Sequence, residues 1–106
     1  MLRIVETIIE LIGNVAPLAE QIARRDPSLA KQLRDALSSV ALNTAEASGQ
    51  IGGRRTNHYA IALGSARESL TALKVAGAWG YIGRVPQPIL EMFGKVIGTL
   101  VKNVKQ

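Results

Sequence analysis

The chain has 106 residues, one histidine and no cysteine, with apolar residues at 47% and aromatics at only 4%. Disulfides and thiolate metal sites are therefore excluded, and the length suits a single domain spanning residues 1–106. Thirteen Lys and Arg against eight Asp and Glu give a net charge of +5, which fits either a polyanionic partner or a solvated basic surface.

With so few aromatics the core must be built from Leu, Ile, Val and Ala, the stock of packed helices. Four segments carry helical spacing and none alternates as a strand would. The first is predicted over residues 2–24. Ile4, Ile8, Leu11, Val15, Leu18 and Ile22 form one stripe, and Val5, Ile9, Ile12, Ala16, Ala19 and Ala23 a second beside it. Pro17 presses on the carbonyl of Gly13, so a kink is expected near Gly13 and Asn14, with the pattern continuing in phase. Glu6 and Glu10 interrupt any signal-peptide core, and no apolar run approaches the roughly 20 residues of a bilayer span. The expected compartment is the cytoplasm, with no membrane partner.

Asp26 and Pro27 read as a helix start, the first as cap and the second as the opening helical residue. This second helix, residues 27–48, places Leu29, Leu33, Ala36, Val40, Asn43 or Thr44, and Ala47 inward, then stops at Gly49. Residues 49–53 read as a loop. Thr56 is expected to cap the third helix, residues 56–78, with Tyr59, Ala62, Leu63, Ala66, Leu70, Leu73 and Ala76 inward and Gly77 and Gly80 at its end. Pro86 opens the fourth, residues 86–104, whose apolar positions are Ile89, Leu90, Phe93, Val96, Ile97, Leu100, Val101 and Val104. Helices of this length joined by short loops predict an all-α fold, an antiparallel up-down-up-down four-helix bundle.

Little in the chain suggests catalysis. Haem or zinc ligation is a poor fit to a lone His58, and a di-iron bundle would need paired Glu-x-x-His units that are missing. The run from Gly49 to Thr56 has the glycines of a phosphate loop but neither its Lys-Ser/Thr ending nor a preceding strand. Glu46 and Glu68 could pose as a carboxylate pair, but helix-to-helix salt bridges or hydrogen bonds are the better reading. A non-catalytic protein without cofactor or metal is expected.

The inward stripe of the second helix carries Asn43, which needs polar partners if buried. An antiparallel hairpin sets it near Ala62 to Ser65, so Ser65 is the expected partner and Gly64 the point where two helices approach closely. Glu46 is expected near His58 and Arg55. Such polar groups fix register more than they add stability.

Several of these residues fall in longer stretches: Gln32-Leu33-Arg34-Asp35-Ala36, Ser39-Val40-Ala41-Leu42-Asn43-Thr44-Ala45-Glu46, Ala62-Leu63-Gly64-Ser65-Ala66-Arg67-Glu68 and Gly80-Tyr81-Ile82. In order and spacing they resemble the four-helix bundle proteins of the 23S rRNA intervening-sequence family. That family carries Ser-Ile-x-x-Asn-Ile-Ala-Glu-Gly on its second helix and Ala-x-Gly-Ser-x-x-Glu, ending in Gly-Tyr, on its third. The resemblance spans Asp26 to Ile82. Ala47 stands where the family has glycine, Thr44 replaces an apolar residue, and the first helix lacks the family's aromatics. The resemblance implies a non-catalytic protein, often a ring-shaped homopentamer, with some members encoded inside ribosomal RNA genes. A related branch serves as accessory protein to the reverse transcriptase of diversity-generating retroelements and binds nucleic acid. Expected partners are thus further copies of the chain, RNA or DNA, and a reverse transcriptase.

Two surfaces follow from the residues themselves. Helices one and four carry more apolar width than one core needs, which marks Ile4, Leu11, Leu18, Leu90, Ile97 and Val101 as an expected oligomer interface. In an up-down-up-down bundle both termini and the second loop share an end. That end gathers Arg3, Arg54, Arg55, Lys102 and Lys105, with Glu6 and Glu46 as the nearest opposing charges. Nucleic acid bound there would be held electrostatically, because the aromatics are too few for extensive base stacking. The competing reading is an oligomeric protein-binding scaffold whose charge is incidental.

Overall fold

In a computed structural model, which describes residues 3–105, four helices follow one another: α1 (Arg3–Arg25), α2 (Pro27–Ser48), α3 (Gly52–Trp79) and α4 (Gln87–Val104). Each packs on its sequence neighbour, and α1 closes the ring on α4. The result is an all-α antiparallel four-helix bundle. Its long axis measures 42 Å, the span of α3's 28 residues at about 1.5 Å each, so α3 runs the full length. No helix among the described residues is long and apolar enough to cross a membrane.

On α1, Val5, Ile8, Leu11, Val15, Ala19 and Ile22 face the core. The inward face is therefore a blend of the two predicted stripes. Ile4 and Leu18 lie at its margin, half-buried against the core, whereas Leu11 is completely enclosed. α1 runs unbroken across Pro17, and the buried positions keep their phase on both sides of it. The predicted start at Leu2 lies outside the described residues, and the helix ends at Arg25, one residue later than expected.

Asp26 caps α2 as its sequence suggests, its carboxylate accepting the Leu29 N–H at 3.0 Å. The inward residues of α2 and α3 include Ala30, Ala36, Ala47, Ala62, Ala66, Ala72 and Ala76. Small side chains let two helices approach closely, and these two share the largest helix–helix contact in the bundle. Thr44, rather than Asn43, takes the fully buried place on α2. Its hydroxyl has no hydrogen-bond partner among the described residues.

The turn after α2 is tighter than the glycines suggest. Gly52 and Gly53 belong to α3, which begins a turn before Thr56; the Thr56 hydroxyl bonds back to the Gly52 carbonyl at 3.4 Å instead of capping. Gly52 sits at φ +60°, a conformation that glycine adopts without strain, and this bends the chain directly from one helix into the next. Gly77 does not end α3. The helix continues to Trp79 and closes at Gly80, φ +80°, with Gly80 N–H bonding Gly77 O at 3.0 Å and Tyr81 N–H bonding Ala76 O at 2.9 Å. This paired closure needs a left-handed residue just beyond the helix. Ile82 and Val85 then fold back and seal the core before α4 opens at Gln87, one residue after the predicted start.

Gly64 also departs from expectation. It is exposed, and a Cβ there would meet nothing within 4 Å, so no close helix approach depends on it. Gly80→Ala is expected to lower unfolding stability by about 1–2 kcal/mol through the left-handed backbone. Gly64→Ala is expected to raise it by up to about 1 kcal/mol, as glycine is a poor interior helix residue. Urea denaturation of the two variants checks both signs.

Candidate nucleic-acid interface

The antiparallel order brings the start of α1, the α2–α3 turn and the end of α4 to one end of the bundle. Arg3 is the first residue of α1, Arg54 and Arg55 lie in the first turn of α3, Lys102 is in the last turn of α4, and Lys105 just follows it. All five side chains are exposed. Positive charge beside the last turn of α4 complements the negative helix end. At the start of α3 no side chain caps the helix, so its first N–H groups and two arginines point the same sign of charge outward. Arg55 is partly anchored, its guanidinium 5.6 Å from the centre of the buried Tyr59 ring.

Arg3 and Lys102 also face a common cleft. With Ile4, Thr7, Gly94, Lys95, Gly98 and Thr99 they line a cleft of about 540 Å³ between α1 and α4, the least extensively packed neighbouring pair. Three cations and two threonines line it, and no carboxylate does. Gly94 and Gly98 keep its floor open, since a Cβ at either would meet nothing within 4 Å. Such a lining can hold phosphate oxygens by charge and by hydroxyl hydrogen bonds. Arg54, Arg55 and Lys105 do not line this cleft. Lys95 had no place in the predicted basic end. Its signal was nonetheless in the sequence, two lysines a heptad apart on α4 with Gly98 between them.

The polar motif is connected differently from the expectation. Ser39 is its hub: Ser65 Oγ donates to Ser39 Oγ at 2.9 Å, and Asn43 Nδ2 donates to the same oxygen and to the Ser39 carbonyl, both at 3.0 Å. Asn43 Oδ1 then faces His58 Nδ1 at 3.0 Å. Because the Asn43 amide nitrogen is committed to a carbonyl, its oxygen is the acceptor and His58 Nδ1 carries the proton. Ser69, fully buried, donates to the Ser65 carbonyl at 2.7 Å. Asn43 does not reach Ser65 because a hairpin turning at Ile51 pairs residues equally distant from it. That register sets Asn43 against Tyr59 and its neighbour His58.

Among the described residues Glu46 and Glu68 form no helix-to-helix bond. Both face solvent; Glu46 accepts from Gln50 at 3.1 Å on its own side of the turn. Among the described residues the one ion pair is Lys31–Asp35, 2.6 Å apart on the outer face of α2. No group of three or more His, Cys, Asp or Glu side chains among them could hold a metal ion.

Of the expected oligomer interface, Ile4, Leu18, Leu90, Ile97 and Val101 are half-buried at the edges of α1 and α4. Leu11 is not available to any partner, being wholly inside the core. The most exposed large apolar side chains are elsewhere, at Leu42, Ile51 and Trp79, with Ile9, Ile61 and Val75 less so.

The fold and its cationic end define a small helical bundle with a carboxylate-free cleft. No family model matches the chain, and no curated protein does. Among solved structures it is similar to the crystal structure of a protein of unknown function from the S23 ribosomal protein family of Bacteroides thetaiotaomicron. The TM-score is 0.68 over 96% of this chain and 92% of that one, at 19% sequence identity, which establishes a shared fold.

Ser39→Ala removes an acceptor that serves two donors and is expected to destabilise the protein by about 1–2 kcal/mol. Thr44→Val deletes a buried hydroxyl without a partner and is expected to stabilise it by about 1 kcal/mol. Thermal unfolding of both variants gives the signs, and a destabilised Thr44→Val would mean that the hydroxyl is satisfied.

Proposed function

We propose that this chain is a non-catalytic, self-associating accessory protein of the cytoplasm that binds nucleic acid electrostatically through its basic end. The observation that carries the reading is the cleft of Arg3, Lys95 and Lys102, which has no carboxylate in its lining. Arg54, Arg55 and Lys105 at the same end extend the charge beyond it. The resemblance over Asp26 to Ile82 supports the same assignment, and the fold shared with an S23 ribosomal family protein supports the bundle on which it rests. The resemblance further makes a pentameric ring the proposed assembly and a reverse transcriptase the proposed protein partner. Parallel copies would multiply the basic end and raise avidity. The non-catalytic part of the proposal rests on composition alone, one histidine and no cysteine.

A second reading, a protein-binding scaffold, is favoured by Leu42 at 70% exposure and Ile51 at 87%. Solvent exposure of such large apolar groups suits a protein contact better than a phosphate backbone.

Titration of labelled duplex DNA and RNA at two salt concentrations separates the readings. Binding is expected to weaken with a log–log slope of about −0.9 per neutralised phosphate on duplex DNA. Lys95→Glu with Lys102→Glu, and separately Arg54→Glu with Arg55→Glu, are each expected to weaken it at least about tenfold and flatten the slope. No binding at low salt, or unchanged affinity in both double variants, would leave the scaffold reading in first place. Light scattering at micromolar concentration is expected to report an assembly; a monomer rejects self-association, and a closed ring of another size rejects only the pentamer.

A further inference from the structure

The opposite end of the bundle has a different chemistry. Trp79 is the last residue of α3, and the left-handed Gly80 turns the chain so that Tyr81 comes back beside it. The two rings lie nearly parallel, 19° apart in plane with centroids 6.4 Å apart. Arg25, the last residue of α1, places its guanidinium 5.6 Å from the centre of the Tyr81 ring. The group is held by backbone hydrogen bonds, because Tyr81 N–H and Gly80 N–H both bond the last turn of α3. Yet Trp79 remains 67% exposed, a large π-surface that contributes little to the core.

The surroundings are cationic. Gln21, Arg24, Arg25 and residues 80–83 line an open depression that includes Tyr81 but not Trp79, and Arg84 follows directly in sequence, also exposed. The carboxylate adjacent in sequence, Asp26, is occupied as the cap of α2. An exposed indole stacked with Tyr81, whose own surroundings hold Arg24 and Arg25, suits a ligand that is flat, π-bearing and anionic. An unpaired nucleotide within a strand has all three properties: the base stacks on an aromatic face, and its flanking phosphates find the guanidinium groups. A duplex hides its base faces and does not.

We propose that Trp79, with Tyr81 and Arg25 behind it, is a stacking platform for an unpaired base of single-stranded nucleic acid, its flanking phosphates meeting Arg24, Arg25 and Arg84. The inference rests on the reading that the protein binds nucleic acid, but on none of the residues of the basic end. It adds a preference for single strands that the basic end does not supply.

Trp79 is the only tryptophan, so intrinsic fluorescence reports this site alone. The probes are a ten-nucleotide oligothymidylate, an abasic strand of the same length and charge, a duplex, and free thymidine monophosphate. The oligothymidylate is expected to quench Trp79 emission and to bind roughly 5- to 100-fold more tightly than the abasic strand, as stacking one base allows. By anisotropy of a labelled strand, Trp79→Ala is expected to abolish that preference, and Trp79→Phe to keep most of it. The quench is expected to survive Lys95→Glu with Lys102→Glu, with the residual affinity still favouring bases. Unmoved emission, equal affinity for abasic and thymidylate strands, or an unchanged preference in Trp79→Ala overturns the stacking site. Should duplex binding persist in that case, the basic-end reading stands and only this inference fails. Quenching by the free mononucleotide at equal concentration, with no gain from a strand, overturns the commitment to single-stranded nucleic acid.

Discussion

The register between α2 and α3 is the constraint on which the rest of the structure depends. Alanines along both inner faces let these helices approach closely, but alanine against alanine hardly distinguishes one register from the next. Polar groups do. Ser39 receives Asn43 from its own helix and Ser65 from the neighbour, while Asn43 turns its oxygen to His58. A slip by one turn would leave half-buried donors and acceptors unpaired, which is costly next to a core of low dielectric. The buried hydroxyl of Thr44, without a partner among the described residues, takes no part in setting this register.

Once that register is set, the two ends of the bundle are set as well. A turn at Ile51 brings Arg54 and Arg55 to the end where α1 starts and α4 finishes, and the closure at Gly80 brings Trp79 and Tyr81 to the end where α1 finishes. Both ends are basic, but by different means. One combines lysines and arginines with an open, glycine-floored cleft; the other combines arginines with aromatic rings. Charge alone makes a polyanion bind with little selectivity, whereas an open π-face discriminates paired from unpaired bases.

The weak packing between α1 and α4 has a physical origin in α4 itself. Gly94 and Gly98 present no side chain to α1, so the pair is held mainly by inward residues such as Phe93, Val96 and Leu100. Exposed glycines within a helix lower its stability, and here the same two positions open the cleft that Arg3, Lys95 and Lys102 line. Ile4 lines the cleft, and Leu18, Leu90 and Ile97 are likewise half-buried, each packed on the core while retaining some exposed surface.

The sequence by itself determined the helices and their antiparallel order. Apolar spacing, the Asp26-Pro27 start and the Gly80 stop are local signals, and each acts within a few residues of where it is written. It also determined that Arg3, Arg54, Arg55, Lys102 and Lys105 share an end, because topology alone places helix termini. Which of two apolar stripes on α1 faces inward was a tertiary decision: Val5 and Ala19 pack inside while Ile4 and Leu18 lie at the margin, since helix rotation is settled by fit against α2 and α4. The same is true of Ser39, whose role requires Ser65 from another helix, and of Lys95, which joins Arg3 only across the α1–α4 groove. Leu11 looked like its neighbours in periodicity, yet only packing could enclose it. Gly52 and Gly53 read as loop from intrinsic propensity, but the short hairpin places them in the first turn of α3, with Gly52 supplying the left-handed bend that joins the two helices.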